Sequence, residues 1–229
     1  MRYRQICEGV FRKRLNRFVA ICEVDGVECE CHVKNTGRLG ELLLPGAKAA
    51  LCRAQGEKRK TAFDLVAVQS ANQWVNIDSQ VVNRVFEEWV QSGAPFGSGV
   101  KIRREVKKGD SRLDFYLEAG ERRIFCEVKG VTLLKEGVAL FPDAPTLRGV
   151  RHLGELTRAV QEGYEACAVF VVAMKGARAV LPNSAAHPEF AQALWAAEAA
   201  GVRLMAVDCV VQADEIWADQ PLPVEKQEK

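Results

Sequence analysis

The hydrophobic rhythm of this chain changes once, near residue 80, and that change dictates a two-part architecture. Before it, apolar residues return at every second position. Val27, Cys29, Cys31 and Val33 alternate with Glu28, Glu30 and His32, as in a strand buried on one face. Asp25-Gly26 separates this run from a strand over 18–24, and such a dipeptide between apolar runs signals a two-residue hairpin. Further strands are expected at 6–12, 47–53, 61–69 and 73–77, with turns at Pro45-Gly46 and in the polar stretch 55–60. Short strands at this density predict a small closed sheet over residues 1–80, with an OB-like β-barrel, a fold able to bind nucleic acid, as the natural candidate.

Beyond residue 80 the period lengthens. Val82, Val85, Phe86 and Trp89 predict a helix over 80–91, capped by Asp78 or Ser79 and ended by Gly93 and Pro95. Strands are expected at 99–107, 112–118 and 122–134. A rigid Phe141-to-Thr146 connector then leads into a helix over 147–162. The uninterrupted apolar run 166–173 reads as a strand buried on both faces, followed by a helix at 187–200 and a strand at 202–211. The order α-β-β-β-α-β-α-β over 81–229 is that of a mixed sheet flanked by helices. The whole is α/β in class (α+β overall), and the last dozen residues, with Pro221 and Pro223, are expected to fray.

No apolar run reaches the roughly 18 residues of a membrane span, and a cytoplasmic location is expected. The eight cysteines lack disulfide or zinc spacing and read as reduced thiols. A zinc site from Cys29, Cys31 and His32 is the weaker alternative. Phe96-Gly97-Ser98-Gly99 lacks the Lys-Ser/Thr of a P-loop, which argues against nucleotide binding. The net charge is only +2, but basic residues crowd 1–20 and 101–108. Such patches suit a phosphate backbone, or equally a solvated strand edge.

Chemistry concentrates at Asp114 and Glu127-Val128-Lys129. Alternate residues of a strand share a face, so Glu127 and Lys129 point the same way, and a hairpin through Gly120 brings Asp114 beside them. Two carboxylates suit a hard cation, Mg²⁺ or Mn²⁺, and an ammonium beside them suits the attacking water and the phosphoryl charge. The competing reading is a solvated Glu-Lys face with Asp114 in an ordinary ion pair. A further ligand is sought in Glu88 on the first helix, preferred over Glu87, or in Glu105 on the strand before Asp114. Arg148, His152 and Glu155 share a helix face that suits phosphate oxygens, or equally a solvated helix surface. His32 and His187 read as surface or turn residues.

The placement of Asp114, Glu127 and Lys129 resembles the PD-(D/E)xK nuclease core. Arg14-Leu15-Asn16-Arg17-Phe18, Lys34-Asn35-Thr36-Gly37-Arg38, Ser111-Arg112-Leu113-Asp114-Phe115, Glu127-Val128-Lys129-Gly130, Phe141-Pro142-Asp143-Ala144 and His152-Leu153-Gly154-Glu155 together resemble the sugar fermentation stimulation protein A family. The resemblance implies an N-terminal OB-like barrel, a C-terminal PD-(D/E)xK-type domain, DNA as partner, and a link to sugar metabolism. It carries the nuclease motif onto Asp114, Glu127 and Lys129. Gly130 and His187-Pro188 depart from its pattern, where many members have a small hydroxyl residue and Asp-Pro.

The resulting expectation is a DNA-binding protein with a Mg²⁺- or Mn²⁺-dependent phosphodiester-cleaving site. Its nucleic-acid contacts are expected from Arg14, Arg17, Lys34, Arg38, Arg104, Arg148 and His152. The alternatives are a non-cutting DNA-binding regulator of sugar (maltose) genes and an RNA-binding or processing factor. The oligomeric state stays open, a dimer included.

Overall fold

The structure is a computed structural model and describes residues 1–54 and 59–226. The turn expected at 55–60 therefore falls mostly outside the described residues, as do the last three residues of the tail.

Six strands open the chain: β1 (Ile6–Arg14), β2 (Val19–Val24), β3 (Val27–Val33), β4 (Lys48–Arg53), β5 (Phe63–Ser70) and β6 (Gln73–Asn76). They pair in the order β3-β2-β1-β4-β5-β6, and a parallel β3–β5 pairing closes the first five into a barrel. This is the OB connectivity that the period-two pattern predicted. The alternation explains the closure: Cys22, Cys31, Val33, Leu51 and Leu65 are fully buried inside, Glu30 beside Cys31 faces solvent, and the other face of β4 and β5, Ala50 and Val66, is buried in the cluster that includes α1.

The second half adds α1 (Val81–Gln91), β7 (Lys101–Lys108), β8 (Ser111–Ala119), β9 (Arg122–Val131), β10 (Leu133–Lys135), β11 (Val138–Phe141), α2 (Leu147–Gln161), β12 (Glu165–Val172), β13 (Ala179–Pro182), α3 (Pro188–Ala199), β14 (Arg203–Val211) and β15 (Ile216–Leu222). Its main sheet runs β15-β14-β12-β9-β8-β7. β12 lies parallel to both β9 and β14, and the outer pairings are antiparallel. The continuous apolar run thus forms the central strand, as its two-sided burial requires. One face packs on α1 through Phe86, Phe115, Leu117 and Cys126, with Phe86 and Phe115 ring centroids 5.0 Å apart. The other face packs on α2 and α3 through Phe125, Leu153, Leu156 and Phe170.

Three differences from the expectation have physical causes. β9 ends at Val131, and β10, β11 and β13 form a small separate sheet from stretches too short to show a period. Residues 216–222 form a strand where fraying was expected; β15 is an edge strand, so Pro221 withdraws no donor that a neighbour needs. His187 is buried as the residue before α3, where its Nδ1 accepts the Thr146 amide at 3.4 Å, rather than a surface histidine.

The halves are joined through the first residues of the chain and through β6. The Tyr3 amide donates to Asp214 O (2.8 Å), and the Asn76 amide donates to Ala173 O (3.0 Å). Asn76 Nδ2 donates to the Tyr3 hydroxyl (3.0 Å), which lies 3.4 Å from Asp78 Oδ2.

Candidate active site

β8 and β9 pair from Phe115↔Cys126 to Ala119↔Arg122, and the hydrogen-bonded ladder ends there. Continuing that register places Asp114 opposite Glu127. The Val128 amide has no strand partner on that side, and Asp114 Oδ2 accepts it at 2.8 Å. Asp114 Oδ1 accepts from Asn83 Nδ2 on α1 at 3.1 Å. Asp114 is therefore a wedge where two strands part. Leu113 before it packs toward α2 and Phe115 after it toward α1.

Glu127 is 3% exposed. Lys129, two residues on and so on the same face, places Nζ 2.5 Å from Glu127 Oε1. His152 of α2, 4% exposed, donates to the same oxygen through Nδ1. Arg148 Nε donates to His152 Nε2 at 3.3 Å, which puts the ring proton on Nδ1. Glu127 Oε2 is buried and meets no hydrogen-bond partner. An unpartnered carboxylate oxygen in the interior costs a kilocalorie or more, roughly 1–3 kcal/mol, unless a cation or donor meets it.

The two carboxylates are driven apart electrostatically. Burial pushes the Asp114 carboxyl up, and the neighbouring Glu127 charge adds to this against the Val128 amide, Lys129 and Asn83. Burial also acts upward on Glu127, but the His152 bond and the Lys129 ammonium outweigh it and leave that carboxyl lowered. Glu127 is thus the anchored anion, and Asp114 is the group that a cation would relieve.

These residues fit a hard divalent cation held by Asp114 and Glu127. Among the described residues, no three His, Cys, Asp or Glu side chains gather into a metal cage. The remainder of a coordination shell would fall to water and substrate, which is the habit of Mg²⁺ rather than of zinc.

The structure brings Asp114, Glu127, Lys129, His152 and Arg148 together and leaves other expected residues out. Glu88 pairs with the Met1 amino group (2.5 Å) and with Arg84 (3.2 Å), away from Asp114. The preference for Glu88 is therefore overturned. Asn83 and Glu87, one turn apart, line the α1 face on the Asp114 side, where Glu87 meets Arg104 at 3.6 Å. Glu105 on β7 stands opposite Asp114 on β8 by register but is exposed at a left-handed kink (φ +54°), and among the described residues no salt bridge or hydrogen bond engages its side chain. Arg104 is occupied by Glu87 and by the face of Phe115, 5.8 Å from the ring centroid. His152 holds Glu127 instead of lying open to phosphate. Asn83 was missed, since no motif marks it.

The barrel's basic residues divide in the same way. Arg14 spends its guanidinium on backbone carbonyls: Asn16 (3.1 Å), Arg17 and Asn35 (both 2.8 Å), Gly37 (2.7 Å) and Arg38 (2.8 Å). All five donors are used, so Arg14 is a clamp on the Asn35–Arg38 loop and not a phosphate ligand. Lys34 is tied to Asp78 at 2.8 Å. Arg17 and Arg38 remain exposed. The clamped loop sits on the connector before α2. A Cβ at Gly37 would come 2.5 Å from Asp143 Oδ2, so a larger residue here would have to displace the Asp143 carboxylate. Beside that contact, a cavity of about 110 Å³ lined by Asn35, Asp78, Gly130 and Asp143 marks the seam between the halves. His32 Nδ1 lies 3.0 Å from Phe18 O, and among the described residues Cys29, Cys31 and His32 do not gather into a metal-binding cluster.

Comparison with known proteins follows both halves. Residues 13–77 match the SfsA N-terminal OB domain, and residues 80–215 match the sugar fermentation stimulation protein RE domain. The sugar fermentation stimulation protein homolog of Desulfitobacterium hafniense (strain DSM 10664 / DCB-2) is 53% identical over 95% of each chain. That of Ruminiclostridium cellulolyticum is 44% identical over 98% of this chain and 99% of the relative. The solved structure of Pyrococcus furiosus SfsA in complex with Ca²⁺ superposes with a TM-score of 0.91 at 30% identity, covering 98% of both chains. On these matches the chain belongs to the sugar fermentation stimulation protein (SfsA) family.

Proposed function

We propose that this protein binds DNA and cleaves phosphodiester bonds with Mg²⁺ or Mn²⁺ held by Asp114 and Glu127. The observation that carries the reading is the buried, unpartnered Glu127 Oε2 beside a second carboxylate whose proton affinity is raised. A fold relative that was solved with Ca²⁺, another hard, oxygen-seeking cation, supports it. When bound, such a cation lowers the pKa of a water and polarises a phosphoryl oxygen. The chain's own residues do the rest. His152 and Arg148 fix the plane of the Glu127 carboxylate, as outer partners of metal ligands commonly do. The Val128 amide and Asn83 hold Asp114 between the parted strands. Lys129 places a positive charge where it can orient the attacking water and offset charge on the phosphoryl group. We place the protein in the cytoplasm, where eight unpaired thiols persist reduced.

A second reading, a DNA-binding regulator that does not cut, draws on one observation. Lys129 and His152 both converge on Glu127 Oε1, and among the described residues no third carboxylate joins the pair. Incubating the protein with mixed single- and double-stranded DNA and RNA, with and without Mg²⁺ or Mn²⁺, separates the two. Cation-dependent cleavage that Glu127→Gln and Lys129→Ala abolish is the expected result. Binding without cleavage under any cation would leave the regulator, and neither binding nor cleavage would end both readings.

A further inference from the structure

Beside His152 a groove of about 640 Å³ opens between α2 and the β7–β8 turn. Arg112 lines it from β8, and Arg148, Arg151 and Arg158 line it from α2. Two acidic residues also line it: Asp110, and Glu155, whose Oε1 meets Arg158 at 3.1 Å while its Oε2 is buried without a partner, so four arginines face two carboxylates. Arg112 and Arg151 are exposed and, among the described residues, form no ion pair. From Arg148 to Arg158 the helix advances about 15 Å at 1.5 Å per residue, which matches the axial rise of roughly four base pairs of duplex DNA at 3.4 Å each.

Three features together say what fits this groove. It is arginine-lined, and the guanidinium fork matches phosphate oxygens two at a time. It adjoins the proposed site through His152, which lines the groove and bonds Glu127. Most other basic residues that pattern and resemblance nominated are already spent: Arg14 on carbonyls, Lys34 on Asp78 and Arg104 on Glu87. We propose that this groove, on the second domain, is the track for the sugar-phosphate backbone of a DNA strand and delivers a phosphodiester to Asp114, Glu127 and Lys129. The proposal rests on the functional reading above and adds Arg112 and Arg151 as phosphate contacts.

The test is fluorescence anisotropy of labelled DNA oligonucleotides over a salt series. Wild type is compared with Arg112→Ala/Arg151→Ala, the same double change to Lys, and Arg17→Ala/Arg38→Ala on the barrel. Mn²⁺ binding by calorimetry is followed in parallel. Losing two phosphate contacts lowers the slope of log K against log salt by about 1.4 on single strands and about 1.8 on duplex. That fall is expected for the groove alanine variant, with Mn²⁺ binding unchanged and the lysine variant close to wild type. A wild-type slope in the groove variant, or a fall only in the barrel variant, overturns the track while cleavage by the wild type keeps the functional reading. Equal binding of polyglutamate and DNA at the groove would mark a surface for acidic protein and overturn it too. Absence of any DNA binding or cleavage by the wild type would end the functional reading and the track with it.

Discussion

At Glu127 two opposed demands meet in one side chain: a carboxylate removed from water, and two polar groups close enough to keep it ionised. Lys129 and His152 satisfy Oε1, and Oε2 is left without a partner. Removing an outer partner of a metal ligand typically costs about 10–100-fold in affinity, so His152→Ala should weaken Mn²⁺ binding by that factor in calorimetry. Unchanged affinity would reduce His152 to packing. Asp114 allows a test by pH. Its folded pKa is raised, so the folded chain holds that proton more tightly than the unfolded one. The stability this supplies is full below the ordinary carboxylate range and is lost as pH rises through the folded value. At neutral pH without metal, Asp114→Asn should therefore raise Tm, and the gain should shrink in acid. A lower Tm would mean that Asp114 serves the fold through Val128 and Asn83. Much of this site was legible in the residues: the two-residue spacing of Glu127 and Lys129 assigns them one face, and the hairpin assigns Asp114 beside them. Arg14 was not legible as a clamp, because its partners are carbonyls of an irregular loop, which leave no pattern in side-chain chemistry.

Among the elements, α2 matters most to the site, because it carries Arg148, Arg151, His152 and Arg158 on one length of helix. Thr146 caps it by accepting the Gly149 amide at 3.0 Å, and α3 supports it from behind. A Cβ at Gly149 would meet Thr146 Cγ2 at 2.9 Å and the Phe190 ring at 3.1 Å. Gly149→Ala should thus cost about 1–3 kcal/mol by overpacking and weaken Mn²⁺ binding as His152 shifts, measured by urea unfolding and calorimetry. A neutral result on both would show that α2 can move without disturbing Glu127. The long elements were readable from period alone; β12 could only be a two-sided strand. The orientation of α1 was not. Its apolar stripe allowed Glu88 to be favoured, but the Met1 amino group draws Glu88 to the other side, and the Asn83–Glu87 line turns toward Asp114. β15 escaped for a similar reason, since the proline that argues against a central strand is harmless at an edge.

For the whole molecule, the barrel and the sheet domain share one buried polar network. Tyr3 comes from the first residues, Lys34 from just after β3, and Asn76 and Asp78 from the segment leading into α1. Tyr3→Phe should cost about 1–3 kcal/mol by leaving Asp78 and Asn76 short of a partner. Calorimetry should show both halves melting in a single transition; two separated transitions would mean that the seam is only a contact. The same seam holds the Asn35–Arg38 loop against Asp143, so the barrel meets the connector that leads into α2. The most direct test is a crystal soaked in Mn²⁺ and measured for anomalous scattering. An anomalous peak between Asp114 and Glu127, lost in Glu127→Gln, is the predicted result. A map with no peak there, Lys129 still seated on Glu127 at saturating Mn²⁺, would contradict the account.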